Sequence, residues 1–163
     1  MVVVDTSIVY KWITEEDDSS DSSSLKLLRK FLDGKESVLI PDIMLYELAN
    51  ALSTKTSLTF KEIEQAWNLF ERLGLKVTNP SLKFIRKSIK FSRKYHVSVY
   101  DASYAILALE KNCILLTADS KFAKKINLPF VKLLTRYPLS IKFKESLAKN
   151  KNLYKRVGKD WNN

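Results

Sequence analysis

The 163-residue sequence predicts an α/β fold in which a central, mainly parallel twisted sheet of four to five strands is flanked by helices. Two patterns carry this. Short unbroken apolar runs, Val2 to Val4, Val38 to Ile40 and Cys113 to Leu116, read as strands buried on both faces, as parallel sheets require, and Phe130 to Leu134, apolar but for Lys132, reads as a last strand. Between them lie segments whose apolar residues recur every three or four positions, the spacing of helices that cross from one strand to the next. At 45% hydrophobic the chain fills one core, and ordinary domain sizes argue against a second. Residues 1–134 read as that domain and 135–163 as a basic C-terminal extension.

The first strand ends on Asp5-Thr6-Ser7, after which Ile8, Val9, Trp12 and Ile13 mark a helix that Asp5 or Thr6 can cap. Residues 15–24, EEDDSSDSSS, are acids and serines with no apolar residue, so they read as a mobile surface loop. Leu25, Leu28, Phe31 and Leu32 resume a helical pattern before Gly34, and Pro41 stops the strand that follows. From Asp42 a helix reads as apolar around most of its circumference, including Tyr46, with Glu47 and Asn50 forming a narrow polar stripe. Glu47 on a solvent face is the plain alternative.

Thr59 and Glu62 form a capping-box pattern ahead of a helix over Phe60 to Leu73, which Gly74 closes, and Leu75 to Val77 allows a short strand. The next helix, from Ser81 to Lys94, carries Lys83, Arg86, Lys87, Lys90, Arg93 and Lys94 within about a third of its circumference, a stripe suited to a phosphate backbone or to solvent. Val97 to Leu109 reads as a buried, alanine-rich helix whose one charge is Asp101, and an ionised carboxylate there needs a partner. Tyr100, Tyr104 and Cys113 read as core, and His96 as surface. The strand Cys113 to Leu116 delivers Thr117 and Asp119 to its carboxyl end, where open α/β sheets bind ligands; Asp119 also suits the N-cap of a helix over Ser120 to Ile126.

Twenty-eight Lys and Arg against 18 Asp and Glu give a formal charge of +10, which suits a polyanionic partner. More than half of that excess falls after Leu134, where eight basic residues face two acids. One cysteine excludes an internal disulfide, and with one histidine the chain cannot build a Cys/His zinc site. No apolar run approaches the roughly 18 residues of a membrane span or a leader, so a cytoplasmic protein is expected.

Asp5, Glu47, Asp101 and Asp119 are the acids a plain core explains poorly. A parallel sheet flanked by helices gathers them at one carboxyl edge, where their charges repel unless a cation sits among them. Carboxylate oxygens without imidazole or thiolate favour Mg²⁺ or Mn²⁺, which can activate water for attack on a phosphodiester.

The segments VVVDTSIVYKW, PDIMLYELANAL, YDASYAILAL and TADSKF resemble the PIN-domain nucleases, most closely the VapC-type toxins of prokaryotic toxin–antitoxin pairs, over about Val2 to Leu134. The resemblance implies a PIN-like three-layer sandwich and a Mg²⁺- or Mn²⁺-dependent endoribonuclease acting on tRNA, rRNA or mRNA. Asp5, Glu47, Asp101 and Asp119 then correspond to the acidic metal-binding quartet, with Thr6, Asn50, Thr117 and Ser120 as supporting polar groups. It further implies a homodimer held inactive by a cognate VapB-type antitoxin. The acidic loop and the basic extension depart from the compact toxin pattern. Trp12, Trp67 and Phe70 suit either the core or a self-association face.

Two other readings compete. One is a non-catalytic RNA- or partner-binding PIN-like module using the basic helix and the extension. The other is a phosphatase with Asp5 as nucleophile, against which stands Ser7 where a second Asp is expected.

Overall fold

The computed structural model describes residues 1–14, 23–54 and 57–136, so the expectations for most of the acidic loop and for nearly all of the basic extension lie outside the described residues. The elements run β1 (Val2–Val4), α1 (Thr6–Thr14), α2 (Ser23–Leu32), β2 (Val38–Pro41), α3 (Ile43–Thr54), α4 (Phe60–Leu73) and β3 (Lys76–Thr78). There follow α5 (Leu82–Tyr95), α6 (Val99–Glu110), β4 (Ile114–Thr117), α7 (Ser120–Ile126), β5 (Val131–Leu133) and a 3₁₀ turn over Leu134–Arg136.

The five strands form one sheet in the order β3-β2-β1-β4-β5, and every neighbouring pair is parallel. The α/β expectation is met, and the sheet is parallel throughout rather than mainly so. The apolar runs explain it: β1, β2 and β4 are buried along their whole length, whereas β3, at the edge, leaves Lys76 and Val77 exposed. The chain builds outward from β1 through β2 to β3, then returns to the other side of β1 for β4 and β5. That reversal opens a crevice at the carboxyl ends of β1 and β4, where ligands bind in open sheets.

The register aligns Val4 with Leu116, and the amide of Asp5 extends the ladder to the Leu116 carbonyl at 3.1 Å. Helix α6 packs over β1, β2 and β4, with Ala102, Ala105 and Ala108 buried and letting the helix lie close to the strands. Behind it α5 contributes Phe84 and Phe91. Trp12 and Phe70 are core residues, and Trp67 packs on the core from outside, so of these three only Trp67 keeps appreciable exposure.

Three readings are corrected here. Ser23 and Ser24 belong to α2 rather than to the loop: Ser24 is buried, and the Trp12 indole donates to its carbonyl at 3.0 Å. Helix α3 is buried on one face alone, through Met44, Leu48 and Leu52, while Tyr46 and Ala49 reach solvent. A helix lying on a single neighbouring layer has only one stripe to bury, whatever the composition of the rest. Tyr100 is exposed rather than core.

The capping box of α4 forms as expected: Thr59 Oγ1 accepts from the Glu62 amide and the Thr59 amide donates to Glu62 Oε2 at 2.7 Å. Gly74 closes the helix with φ 59°, a left-handed conformation that a side chain would strain. Thr59→Ala should therefore lower stability by about 1 kcal/mol, read as an earlier urea midpoint with an unchanged slope.

Candidate active site

Asp5 leaves β1 at the start of α1, and its carboxylate is held by its own turn: the Ser7 amide donates to Oδ1 at 3.0 Å and the Ser7 hydroxyl donates to the same oxygen. Ser7 Oγ also accepts from the Ala118 amide at 3.0 Å, which ties the β1 turn to the β4 turn. Thr117 is fully buried; its hydroxyl bonds the Asp5 carboxylate and accepts from the Asp119 amide at 2.9 Å. Although part of Asp5 still faces the cleft, its carboxyl is packed so closely that loss of water pushes its pKa up to about 6; the Ser7 and Thr117 bonds oppose the rise without cancelling it.

Glu47 is half-buried on α3, and its Oε2 accepts from Thr6 Oγ1 at 2.7 Å and from the Tyr104 hydroxyl. The two hydroxyls are themselves 2.7 Å apart, so α1, α3 and α6 meet at one triangle of oxygens. Burial and the nearby Glu47 carboxylate drive the Tyr104 phenol well above its ordinary pKa, which keeps it a proton donor. Asp101 stands in the first turn of α6, where the helix N-terminus favours negative charge, and it is half-buried rather than enclosed. Asp119 is the N-cap of α7, its Oδ1 accepting from the amides of Lys121 at 2.7 Å and Phe122 at 3.1 Å.

Asp5, Glu47, Asp101 and Asp119 all line one cleft of about 770 Å³, with Thr6 and Asn50 beside them. Capping does not take Asp119 out of the cleft: it is the N-cap of α7 and also one of the lining residues. Thr117 lies behind the wall as a support for Asp5, and Ser120 lines a separate hollow with Ala123 and Lys124. Among the described residues no Lys or Arg lines the cleft, in a chain of net charge +10. No three acidic, histidine or cysteine side chains among the described residues come close enough together to grip one ion directly.

Two supports were absent from the sequence reading. Ser7 and Tyr104 hold the carboxylates of Asp5 and Glu47; the Asp-x-Ser spacing is a local signal for the first, and the second has none, since 57 residues separate Tyr104 from its partner. The six basic residues of α5 do not line the cleft. Lys87, half-buried, is paired with Glu110 of α6 at 2.8 Å, so the stripe is offset there by an acid from the neighbouring helix. His96 is exposed at the C-cap of α5, and Cys113 is buried with its thiol pushed up to about 11 by loss of water, which leaves it unreactive.

Five parallel strands between helices, with a carboxylate-lined crevice at the reversal of strand order, define the class: the chain belongs to the PIN domain family, whose model matches residues 2–127. No protein with a curated description matches the sequence. Among solved structures the fold is similar to that of PAE2754 from Pyrobaculum aerophilum, at 19% identity over 91% of this chain and 96% of that one, with TM-score 0.60. It is also similar to VapBC2 from Rickettsia felis bound to a DNA fragment from their promoter, at 21% identity, 82% and 98% coverage and TM-score 0.61. A toxin–antitoxin complex from Klebsiella pneumoniae matches at 16% identity, 82% and 98% coverage and TM-score 0.60. At these identities the likeness is one of fold. No helix among the described residues is long and apolar enough to cross a membrane.

Proposed function

We propose that the protein is a metal-dependent endoribonuclease, the toxin of a VapBC-type pair, with Asp5, Glu47, Asp101 and Asp119 as its catalytic acids. The observation that carries the reading is the cleft itself: four carboxylates and no cationic side chain among its described lining residues, inside a strongly basic chain of the PIN domain family. An acidic cleft repels a phosphodiester unless a cation intervenes, whereas the basic exterior attracts a polyanion.

The residues fit Mg²⁺ or Mn²⁺. All four donors are hard oxygens, and the shortage of water around the Asp5 carboxylate is the condition a cation relieves. Because no three acidic, histidine or cysteine side chains among the described residues close on one point, an ion held here would take one or two carboxylates directly and keep several of its waters. Such an ion, when bound, lowers the pKa of attacking water and stabilises the leaving oxygen. Ser7 and Thr117 hold Asp5 in one orientation, Thr6 and Tyr104 hold Glu47, and two first-turn amides of α7 hold Asp119, so these three acids need little rearrangement to act. Asn50, exposed beside them, adds an amide that can donate to a phosphate oxygen.

A cognate VapB-type antitoxin, a homodimer and a cytoplasmic setting complete the reading. One of the similar structures is a toxin–antitoxin complex and another is VapBC2, which supports the antitoxin. Exposed Lys83, Arg86, Lys90, Arg93 and Lys94 on α5 supply a surface for RNA phosphates away from the cleft. Metal removal tests the reading: purified protein should cut labelled tRNA or unstructured RNA with Mg²⁺ or Mn²⁺, lose that activity in chelator, and regain it when the metal is restored. Cleavage that persists after exhaustive chelation would overturn the metal dependence. If wild-type protein binds RNA but cuts none under any metal, the non-catalytic module takes its place.

A further inference from the structure

Of the tyrosines among the described residues, Tyr10 and Tyr95 are half-buried and Tyr104 is buried, while Tyr46 and Tyr100 are 74% and 57% exposed. Both exposed rings line the acidic cleft. Each also directly precedes a candidate acid, Tyr46 before Glu47 on α3 and Tyr100 before Asp101 on α6. Neighbours on a helix point about 100° apart, so each helix presents a half-buried carboxylate and, beside it, an aromatic ring at the solvent rim. Core packing does not account for rings this open, and neither belongs to the residues, Thr6 and Tyr104, whose hydroxyl groups donate to Glu47.

The lining of the cleft leaves a gap in how a strand would be held. Its carboxylates, with a cation, can engage a phosphate, but among the described residues no Lys or Arg is present to hold the flanking nucleotides. Planar rings do that without charge, because every base has a face to stack, and they reach it only when the base is out of a duplex. We propose that Tyr46 and Tyr100 are stacking platforms for two unpaired bases near the scissile phosphate. This deepens the nuclease reading and rests on it.

The experiment is a cycle between protein and substrate. Tyr46→Ala and Tyr100→Ala should each raise KM for a single-stranded oligoribonucleotide about 5- to 100-fold, with the Phe variants close to wild type. Oligonucleotides carrying one abasic ribose, scanned position by position, should show two positions where losing the base raises the wild-type KM. At one of these the loss should cost the Tyr46→Ala enzyme nothing further, and at the other the Tyr100→Ala enzyme nothing further. Annealing the complement should slow wild-type cleavage at least about tenfold.

If each abasic substitution costs wild type and alanine variants equally, or the variants keep the wild-type KM, the stacking role is overturned while the nuclease reading stands. Variants that cut RNA normally but no longer bind an antitoxin peptide would assign the rings to a protein partner, which also overturns it. Absence of metal-dependent cleavage by wild-type protein would remove the nuclease reading and this inference together.

Discussion

Asp5→Asn and Asp101→Asn should each slow RNA cleavage roughly 10²- to 10⁴-fold while moving stability in opposite directions. The Asp5 carboxyl has its pKa raised to about 6 from 3.8, with desolvation the largest cause. A raised folded-state pKa contributes stability that is fully present below the unfolded value of 3.8 and lost as pH rises through about 6. At pH 7.5 the ionised carboxylate therefore costs at most about 3 kcal/mol, less whatever cleft water screens. Asparagine does not titrate, and its side-chain oxygen can still accept from the Ser7 amide and hydroxyl.

The metal-free Asp5→Asn protein should thus melt above wild type at pH 7.5 and lose that advantage by pH 4. Asp101 sits half-open in the first turn of α6, so Asp101→Asn forfeits only its attraction to the helix N-terminus, about 0.3–1 kcal/mol, and should melt slightly below wild type. Added Mg²⁺ should raise the melting temperature of wild type much more than that of Asp5→Asn, because only the former regains a counter-charge for a desolvated carboxylate. Thermal melts from pH 4 to 8, with chelator and with Mg²⁺, separate these expectations. Equal melting of wild type and Asp5→Asn at pH 7.5 in chelator would mean that the carboxylate is not desolvated enough to matter.

Tyr104→Phe and Thr6→Val should each reduce kcat about 10- to 100-fold with little change in KM, and the double variant should lose far less than the product. Both hydroxyls donate to the same oxygen of Glu47 and lie against each other, so removing either leaves that carboxylate free to rotate, and removing the second finds little left to disrupt. Tyr104 touches neither the substrate nor a metal in this scheme; it positions Glu47. A merely structural loss would lower stability without the split between kcat and KM, and it would multiply in the double variant. Steady-state kinetics at matched folded fraction, measured by circular dichroism, tells the two apart.

Much of the fold was legible because its signals are local. The buried runs of β1, β2 and β4, the capping box of Thr59 with Glu62 and the Gly74 terminator all act within four residues, and the chain forms them where expected. The family resemblance was borne out by the match over residues 2–127. Asp5 and Asp119 could be placed at one edge from sequence because parallel strands point their carboxyl ends the same way, and β1 and β4 are neighbours in the sheet.

The side-chain environments were a different matter. The openness of Tyr46 and Tyr100, the burial of Ser24 under Trp12, and the pairing of Lys87 with Glu110 depend on which element lies against which. Periodicity says that a helix has an apolar face, but α3 holds enough apolar residues for several faces, and only the layer it packs on selects Met44, Leu48 and Leu52. The triangle of Thr6, Glu47 and Tyr104 joins positions 41 and 57 residues apart. The sequence by itself determined the alternation of strands and helices and the acids carried at strand ends, since hydrogen-bonding period and burial are properties of short segments. Only the tertiary structure decided that α1, α3 and α6 converge on Glu47 and that two tyrosines stay at the rim, because strand order and helix docking are set by the packing of the whole core.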